Sequence, residues 1–282
     1  MKRVVAILAL AFAVVISAQA KSAVKEFAVE SKVLGVEKKY IVYLPDGYEK
    51  SGEKYPVLYL LHGAYGTHTS WAELGSGNMQ QIVDDAIAKG VAKKMIIVLP
   101  DARGEDDRNG GKNMGYFNVK NWAYMDFFFQ EFIPHIDKKF RTIASKNGRA
   151  IAGLSMGGGG SVVYAQMYPE IFSAAYSTSG LLSERYNDNV LRHFGDAWLA
   201  SVAQTSPVNF VQKATPETLE KLRSVRWYMD CGDDDWIIYS NFDFYAVMKQ
   251  AKVPIEFRVR NGKHNWIFWR ESLPNILAFS FK

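Results

Sequence analysis

Cysteine is almost absent from this chain: its 282 residues include one, Cys231. A lone cysteine cannot form an internal disulfide, so the stability of the fold must come from a buried apolar core. Apolar residues make up 48% of the chain and charged residues 22%, a composition typical of a globular domain with a sizeable core. Cys231 ends an apolar predicted strand, which favours a buried, unreactive thiol over a catalytic one.

Metal-ligand spacing and clustered basic charge are lacking as well. No two of the five histidines are spaced as metal ligands, so we expect no catalytic metal and no cofactor. His135 is expected to be half-buried on a helix, and His68 and His193 are expected at the surface. The net charge of +5 comes from basic residues that are scattered rather than arranged in a stripe, which argues against nucleic-acid binding.

Long apolar runs are missing except at the amino terminus. Lys2 and Arg3 precede an apolar segment, Val4 to Ile16, which is followed by Ser17-Ala18-Gln19-Ala20. This order is typical of a secretory signal peptide over residues 1–20, so we expect a secreted or periplasmic protein that begins near Lys21. The apolar run is too short to favour a membrane span, and we expect no integral membrane segment after cleavage.

Short apolar segments alternate with helical patterns through the rest of the chain. This alternation predicts one α/β domain over residues 21–282, with a mostly parallel sheet and helices on both faces. The predicted strands cover 24–34 and 36–44, an antiparallel pair hinged at Gly35, and then 55–61, 95–99, 150–154, 171–177, 226–231 and 253–260. The predicted helices cover 77–89, 122–140, 161–167 and 241–251, with a last helix from Trp266 that is kinked or interrupted at Pro274. Residues 181–225 are expected to be an insertion that covers the edge of the sheet.

The stretch from Ala150 to Gly160 carries the most specific motif. Gly153-Leu154-Ser155-Met156-Gly157 matches the G-x-S-x-G nucleophile elbow, and it lies between a predicted strand and a predicted helix, as that motif requires. Glycine before and after the serine lets neighbouring backbone pass close to the turn. A phosphate-binding loop and a dinucleotide fingerprint are excluded, because neither motif occurs in this run.

Polar residues follow three of the predicted strands where each strand ends. In an open parallel sheet, ligands bind at the carboxyl ends of the strands, and there the chain has Ser155, the run Asp233-Asp234-Asp235, and His264. The order serine, aspartate, histidine is that of α/β-hydrolases, in which the histidine takes the serine proton and the acid holds the imidazole. We favour Asp235 as the acid, since several residues must follow Gly232 before a side chain can point back to His264. Asp234 remains the alternative.

Ester chemistry at Ser155 would need two backbone N–H donors for the developing oxyanion. We expect these donors from Met156 and from Ala64, in the loop after the strand at 55–61, where His62 is expected to brace the loop. Aromatic residues crowd the same loops and could contact a sugar or an aromatic acyl group, or could pack around the catalytic residues; they are Tyr65, Trp71, Trp236 and Trp266.

Several motifs together resemble the family named "Putative esterase". They are Leu60-Leu61-His62-Gly63 with Trp71, Pro100-Asp101 with Arg103-Gly104, Gly153 to Gly158, Phe172, Ser179-Gly180, Cys231-Gly232 with Asp235, and His264 with Trp266. That family resembles esterase D (the formylglutathione hydrolases), the secreted feruloyl and acetylxylan esterases of carbohydrate esterase family 1, and the mycolyltransferases. The resemblance implies an α/β-hydrolase fold and a serine esterase that needs no cofactor.

The chain departs from the formylglutathione hydrolases in two respects. Those enzymes are cytosolic, whereas export is expected here. They also carry a cysteine in the loop after the strand that corresponds to 55–61, whereas residues 62–71 of this chain contain none. The hypothesis is therefore a secreted serine esterase that releases feruloyl or acetyl groups from a small-molecule or polysaccharide-linked ester. The alternatives are an acyltransferase that uses the same acyl-enzyme, a general short-chain esterase, and a non-catalytic carbohydrate-binding protein on the same fold. The oligomeric state stays open.

Overall fold

A computed structural model describes residues 22–104, 115–119, 121–183 and 205–282. These residues form an eight-stranded sheet and a separate two-stranded hairpin. In chain order the strands are β1 (Ala23–Ser31), β2 (Val36–Leu44), β3 (Val57–Leu61), β4 (Ile96–Pro100), β5 (Asn118–Val119), β6 (Trp122–Ala123), β7 (Arg149–Leu154), β8 (Ala174–Thr178), β9 (Arg226–Gly232) and β10 (Glu256–Arg260). The predicted signal peptide lies outside the described residues, as does His193.

Helices connect most of these strands. They are α1 (Met79–Ala88), α2 (Tyr124–Phe127), α3 (Ile133–Lys139), α4 (Met156–Met167), α5 (Pro207–Gln212), α6 (Pro216–Arg223), α7 (Ile238–Gln250) and α8 (Trp266–Ser280). A π-helical turn, Phe128–Phe132, joins α2 to α3, so the helix predicted over 122–140 is present but begins two residues later. Among the described residues, no helix combines the length and apolar character needed to cross a bilayer.

The large sheet has the order β1-β2-β4-β3-β7-β8-β9-β10. The β1–β2 and β2–β4 pairs are antiparallel, and the other neighbouring strands are parallel. The turn between β1 and β2 places Gly35 at a φ of 70°, a left-handed conformation that glycine adopts without steric cost. The predicted sheet, mostly parallel with an antiparallel pair at its amino-terminal end, is confirmed.

Two apolar layers enclose the sheet. All five residues of β3 are buried, and they alternate between the layers: Tyr59 packs in one layer, Leu58 and Leu60 in the other. The first layer is rich in aromatic residues and contains side chains of α3, α4 and α7. The second contains side chains of α1 and α8. Helices therefore cover both faces, and the carboxyl ends of the central strands stay free to carry a site.

The sequence predicts a kink or an interruption of the last helix at Pro274. Helix α8 continues through Pro274 without interruption. A proline removes only one backbone donor, and the buried neighbours Leu273 and Ile276 hold the helix on the sheet. In the segment 181–225, which the sequence predicts to be an insertion over the edge of the sheet, residues 184–204 lie outside the described residues, and α5 packs against α4 and α7.

Candidate active site

Ser155 lies on a strained turn between β7 and α4. Its φ of 53° and ψ of −116° place a non-glycine residue in a sparsely populated conformation, which persists only where the surroundings impose it. The Ser155 N–H donates to the carbonyl of Thr178 at 3.0 Å, and its own carbonyl accepts from the N–H groups of Gly159 at 3.0 Å and Leu181 at 3.2 Å. These bonds hold the turn in the geometry of a nucleophile elbow.

The glycines around Ser155 lie where side chains would clash. A β-carbon on Gly153 would stand 2.3 Å from the carbonyl oxygen of Gly157, and one on Gly157 would stand 2.5 Å from that of His62. Helix α4 begins at Met156 rather than at residue 161, so Gly157 to Gly160 are all helical. Their low helix propensity is outweighed because the helix packs directly on neighbouring backbone, including the carbonyl of Leu181.

His264 connects the serine to one of the three aspartates. Its Nε2 lies 2.9 Å from the Ser155 Oγ, and its Nδ1 lies 2.9 Å and 3.0 Å from the two carboxylate oxygens of Asp235. Asp235 is 2% exposed and also accepts the backbone N–H of Ile237 at 3.1 Å. Asp234 is exposed and is not the partner of His264. This arrangement has the connectivity of a serine–histidine–aspartate triad.

Asp233, to which the sequence assigns no role, links the loops that carry Asp235 and His264. Its carboxylate accepts the N–H of Gly262 at 2.9 Å, and its own N–H donates to the carbonyl of Arg260 at 3.0 Å. The Asp234 N–H donates to the carbonyl of Gly262 at 3.0 Å. The run of three aspartates was the only signal for such a link, and spacing along the chain does not tell which of them faces the histidine loop.

The residues predicted to supply oxyanion donors flank the serine. Met156 follows Ser155 as the first residue of α4, where free N–H groups and the helix dipole favour negative charge. Ala64 lines the same cleft as Ser155. The loop after β3 lies directly against the elbow, because a β-carbon on Gly63 would come within 3.4 Å of the Ser155 Cβ.

The cleft above Ser155 has a volume of 370 Å³ and an aromatic wall. Tyr65 is 59% exposed and Trp236 is 42% exposed, and both line the cleft with Trp266. Trp236 also packs on the His264 ring, with centroids 4.9 Å apart. Trp269, which the sequence analysis did not single out, lies one helical turn after Trp266. It lines the cleft, and its Nε1 donates to the Ser179 hydroxyl at 3.1 Å.

Trp71 does not belong to this wall, contrary to expectation. It is 1% exposed, and its Nε1 donates to the carbonyl of Leu61 at 3.0 Å. Its ring packs edge-on against Trp266 at 5.3 Å. Trp71 thus supports the loop after β3 and the cleft wall from below, because its indole N–H finds its partner in the backbone of β3 rather than in the cleft.

The sequence profile of the family described as "Putative esterase" matches residues 31–280. The chain belongs to this family of esterases.

Individual relatives agree with the family assignment. The chain is 41% identical to a solved structure named ferulic acid esterase, with a TM-score of 0.83 over 93% of this chain and 98% of that chain. It is 32% identical over 247 residues to the endo-1,4-beta-xylanase/feruloyl esterase of Xylanibacter ruminicola, covering 86% of this chain and 29% of that protein. An esterase of Mycobacterium tuberculosis is 35% identical over 155 residues, 55% of this chain and 32% of that protein. The chain spans about a third of the length of these two curated relatives.

More distant structures share the fold. A ferulic acid esterase of Anaeromyces mucronatus, solved in complex with ferulic acid, is 20% identical, with a TM-score of 0.72 over 92% of this chain and 91% of that chain. The esterase therefore has the α/β-hydrolase fold that the motifs around Ser155 implied.

His62 braces the loop after β3. Its Nε2 accepts the N–H of Ala102 at 3.0 Å, which leaves the hydrogen on Nδ1 to donate to the carbonyl of Gly63 at 2.8 Å. Complete burial lowers the pKa of His62 to about 4, so the ring is neutral at ordinary pH. A neutral ring with both nitrogens engaged agrees with the structural role expected for it.

His68 is buried rather than exposed, which corrects the sequence expectation. Its Nδ1 lies 2.9 Å from the carboxylate of Asp101 and its Nε2 lies 2.9 Å from that of Glu26. Burial disfavours the charged ring, but hydrogen bonds to both carboxylates outweigh burial and raise the pKa of His68. The partners lie 33 and 42 residues away in sequence, so no local pattern could have indicated this pairing.

Asp101, the first residue after β4, contacts the loop that follows β3. Burial would raise the pKa of its carboxyl, but hydrogen bonds from His68 and Arg103 hold that pKa well below its usual range. The Arg103 backbone N–H donates to Asp101 at 2.9 Å, and so does its guanidinium. Asp101 therefore joins β4 to the segment that follows Ala64.

Cys231 does not line the cleft. The thiol is buried, and burial raises its pKa, in agreement with an unreactive cysteine. Within the ranges that the structure describes, no three His, Cys, Asp or Glu side chains are grouped as ligands of one ion.

Proposed function

We propose that this esterase is an exported serine hydrolase that releases feruloyl or acetyl groups from plant polysaccharide through an acyl-enzyme on Ser155. The observation that carries the proposal is the chain of contacts from the Ser155 hydroxyl to His264, at 2.9 Å, and on to the buried Asp235. A serine alone is a weak nucleophile, and an adjacent oriented base activates it.

Acylation begins when the Ser155 Oγ attacks the ester carbonyl carbon and its proton moves to the Nε2 of His264. Asp235 accepts the Nδ1–H and stabilises the imidazolium that forms. The N–H groups of Met156 and Ala64 stabilise the oxyanion. The tetrahedral intermediate then collapses: the bond to the leaving alcohol breaks, and the imidazolium returns the proton to the alcohol oxygen.

Deacylation repeats these steps with water as the nucleophile. His264 takes a proton from a water molecule, and the hydroxide attacks the acyl carbon. The bond to the Ser155 Oγ then breaks, and the imidazolium protonates the serine oxygen, so the free acid leaves and the enzyme is restored. No redox cofactor is required, because the hydrolysis of an ester to an acid and an alcohol changes the oxidation state of no atom.

The acyl preference is supported by two observations. A solved structure that is 41% identical over 93% of this chain is named ferulic acid esterase, and a curated relative that is 32% identical over 86% of it is named endo-1,4-beta-xylanase/feruloyl esterase. The cleft also presents the exposed rings of Tyr65 and Trp236 beside Ser155. Aromatic rings offer flat apolar surface for a phenolic acyl group or for a sugar face.

The test is the Ser155→Ala variant assayed on methyl ferulate and aryl acetates. Removal of the nucleophile should lower kcat by about 10⁴-fold or more. Ser224→Ala is the matched control, because Ser224 is exposed and does not line the cleft, and its turnover should equal that of the wild type. Undiminished turnover by Ser155→Ala would end the proposal. A panel of feruloylated arabinoxylan and acetylated xylan then ranks the two acyl groups.

Export is the second part of the proposal and rests on residues 1–20. Expression of the full chain in a bacterial host should yield a processed protein whose amino terminus lies near Lys21, in the periplasm or the medium. Intact-mass measurement of the purified protein checks this. An unprocessed cytoplasmic protein that begins at Met1 would contradict it.

A further inference from the structure

A second groove, of 700 Å³, lies beside the catalytic cleft. We call it the α1 groove; residues that line it include Asp46, Leu74, Asn78, Gln81, Asp84 and Lys94. The segment 70–78 borders both hollows, because Ser70 and Glu73 line the catalytic cleft whereas Leu74 and Asn78 line the α1 groove. The two hollows are therefore neighbours separated by one short stretch of chain.

The α1 groove runs away from the cleft along helix α1. Asn78, Gln81, Asp84 and Ala88 all line it, and intervals of three or four residues place side chains on one face of a helix. The ten residues of α1 span about 15 Å. A ligand bound along this face would be elongated, and one end of it would lie next to the segment that borders the catalytic cleft.

Three polar side chains that line the groove differ in their hydrogen bonding. The Oδ1 of Asp46 is shielded from solvent and has no hydrogen-bond partner among the described residues, although buried acceptors are nearly always paired. The side chain of Asn78 caps no N–H of α1. Asp84, in contrast, is fixed by the hydroxyls of Tyr43 and Ser22, each at 2.7 Å, and forms a rigid part of the lining.

The lining combines these groups with apolar surface. Leu74 is 83% exposed at the rim of the groove, and Ile87 lines it further along. The lining carries two carboxylates, those of Asp46 and Asp84, and one ammonium group, that of Lys94. The Nζ of Lys94 donates to the backbone carbonyl of Asp46 at 2.8 Å. Two carboxylates against one ammonium disfavour an anionic ligand. The lining is complementary to a neutral ligand that has hydroxyl groups to donate to the carboxylates and apolar C–H faces to pack against Leu74 and Ile87.

We propose that the α1 groove is a binding site for the neutral sugar backbone of the polymer whose ester enters the catalytic cleft. This inference rests on the proposed function and deepens it, because it assigns a subsite to the polysaccharide itself. The polymer would cross the segment 70–78, with its acylated residue over Ser155 and further sugar residues along α1. Small esters would not reach the groove.

The test compares two tryptophan substitutions on neighbouring residues. Ala88→Trp fills the α1 groove, whereas Lys89→Trp adds the same ring one residue later, at an exposed position outside the lining. Ala88→Trp should lower kcat/KM on feruloylated arabinoxylan roughly tenfold, a loss that corresponds to about 1.4 kcal/mol. Turnover of methyl ferulate should not change. Lys89→Trp should match the wild type on both substrates.

A binding measurement keeps this proposal separate from the esterase proposal. Unsubstituted xylo-oligosaccharides carry no ester, and calorimetry should show that they bind the wild type and bind Ala88→Trp about tenfold more weakly. If the protein hydrolyses no ester, the esterase proposal fails. The binding measurement still tests whether the α1 groove binds the sugar backbone. If Ala88→Trp does not fold, the double variant Asn78→Ala with Gln81→Ala takes its place.

Three outcomes would overturn the proposal. The first is equal kcat/KM of wild type and Ala88→Trp on the polymer. The second is oligosaccharide binding that neither groove variant weakens. The third is a dimer, seen by analytical ultracentrifugation, that Ala88→Trp dissociates, since this would assign the groove to a second copy of the chain.

Discussion

Gly232 and Gly262 lie in such close contact that a β-carbon on Gly232 would stand 2.3 Å from the carbonyl oxygen of Gly262. Gly232 ends the strand that leads to Asp235, and Gly262 precedes His264 by two residues. The contact therefore sets the distance between the acid and the base. The parallel register of β9 and β10, in which Arg260 pairs with Gly232, brings the two loops to this spacing.

Gly232→Ala should push these loops apart and impair catalysis. The clashing atoms belong to backbone, so they cannot move aside as a flexible side chain would. A displacement of about 1 Å between catalytic groups can cost roughly 100-fold in rate, and we expect a loss of that order in kcat/KM on methyl ferulate. Gly52→Ala is the control, since nothing lies within 4 Å of a β-carbon there. Equal activity of the two variants would refute the argument.

The two neighbouring aspartates should differ sharply in their effect on turnover. Asp235→Asn should reduce kcat by roughly 10⁴-fold, because an amide no longer holds the His264 ring in the required tautomer. Asp234→Asn should leave kcat unchanged, because that side chain is exposed and makes no contact with His264. Steady-state kinetics on an aryl acetate measure both. Similar losses of kcat in the two variants would show that Asp235 is not the aspartate that orients His264.

Two tryptophans of the predicted site should respond in opposite ways. Trp236→Ala should raise KM roughly 2- to 10-fold with little loss of stability, because an exposed aromatic contact contributes about 0.5–1.5 kcal/mol. Trp71→Ala should lower the free energy of unfolding by about 3–5 kcal/mol, as expected for a fully buried indole. Urea denaturation and steady-state kinetics on both variants separate the roles. A large increase in KM with unchanged stability in Trp71→Ala would show instead that Trp71 contacts the substrate.

His68 should make the stability of the protein depend on pH. The pKa of His68 is raised in the folded state, above the value near 6.5 of an unfolded histidine. The stabilisation is therefore fully present below about pH 6.5 and is lost as the pH rises through the folded pKa. The free-energy advantage of wild type over His68→Gln should accordingly be larger at pH 6 than at pH 9.

Other groups around His68 should not obscure this trend. Between pH 6 and pH 9 Asp101 and Glu26 stay ionised, since both have lowered pKa values. His62 stays neutral because its pKa is about 4. Urea titrations at the two pH values measure the difference. An advantage that grows toward pH 9 would mean that His68 is neutral in the fold.

Much of the candidate site could be predicted because its signals are local or depend on chain order. The Ser155 turn requires glycine on both sides, and residues that follow parallel strands meet at one edge of the sheet whatever lies between them. The start of α4 could not be predicted, since four successive glycines are poor helix formers until the backbone of β3 and the Leu181 segment packs against them. The burial of Trp71 could not be predicted either, because aromatic loop residues look alike in sequence whether they face solvent or the core.

The amino-acid sequence by itself determined the order along the chain of the strands in the large sheet, the turn at Ser155, the serine and histidine that could act on an ester, and the absence of an internal disulfide. Only the tertiary structure decided that Asp235 and not Asp234 contacts His264, that Asp233 fastens the two loops together, and that His68 is buried between two carboxylates. The physical reason is the same in each case. Side-chain orientation at the end of a strand depends on contacts with residues distant in sequence, and a local sequence pattern does not predict those contacts.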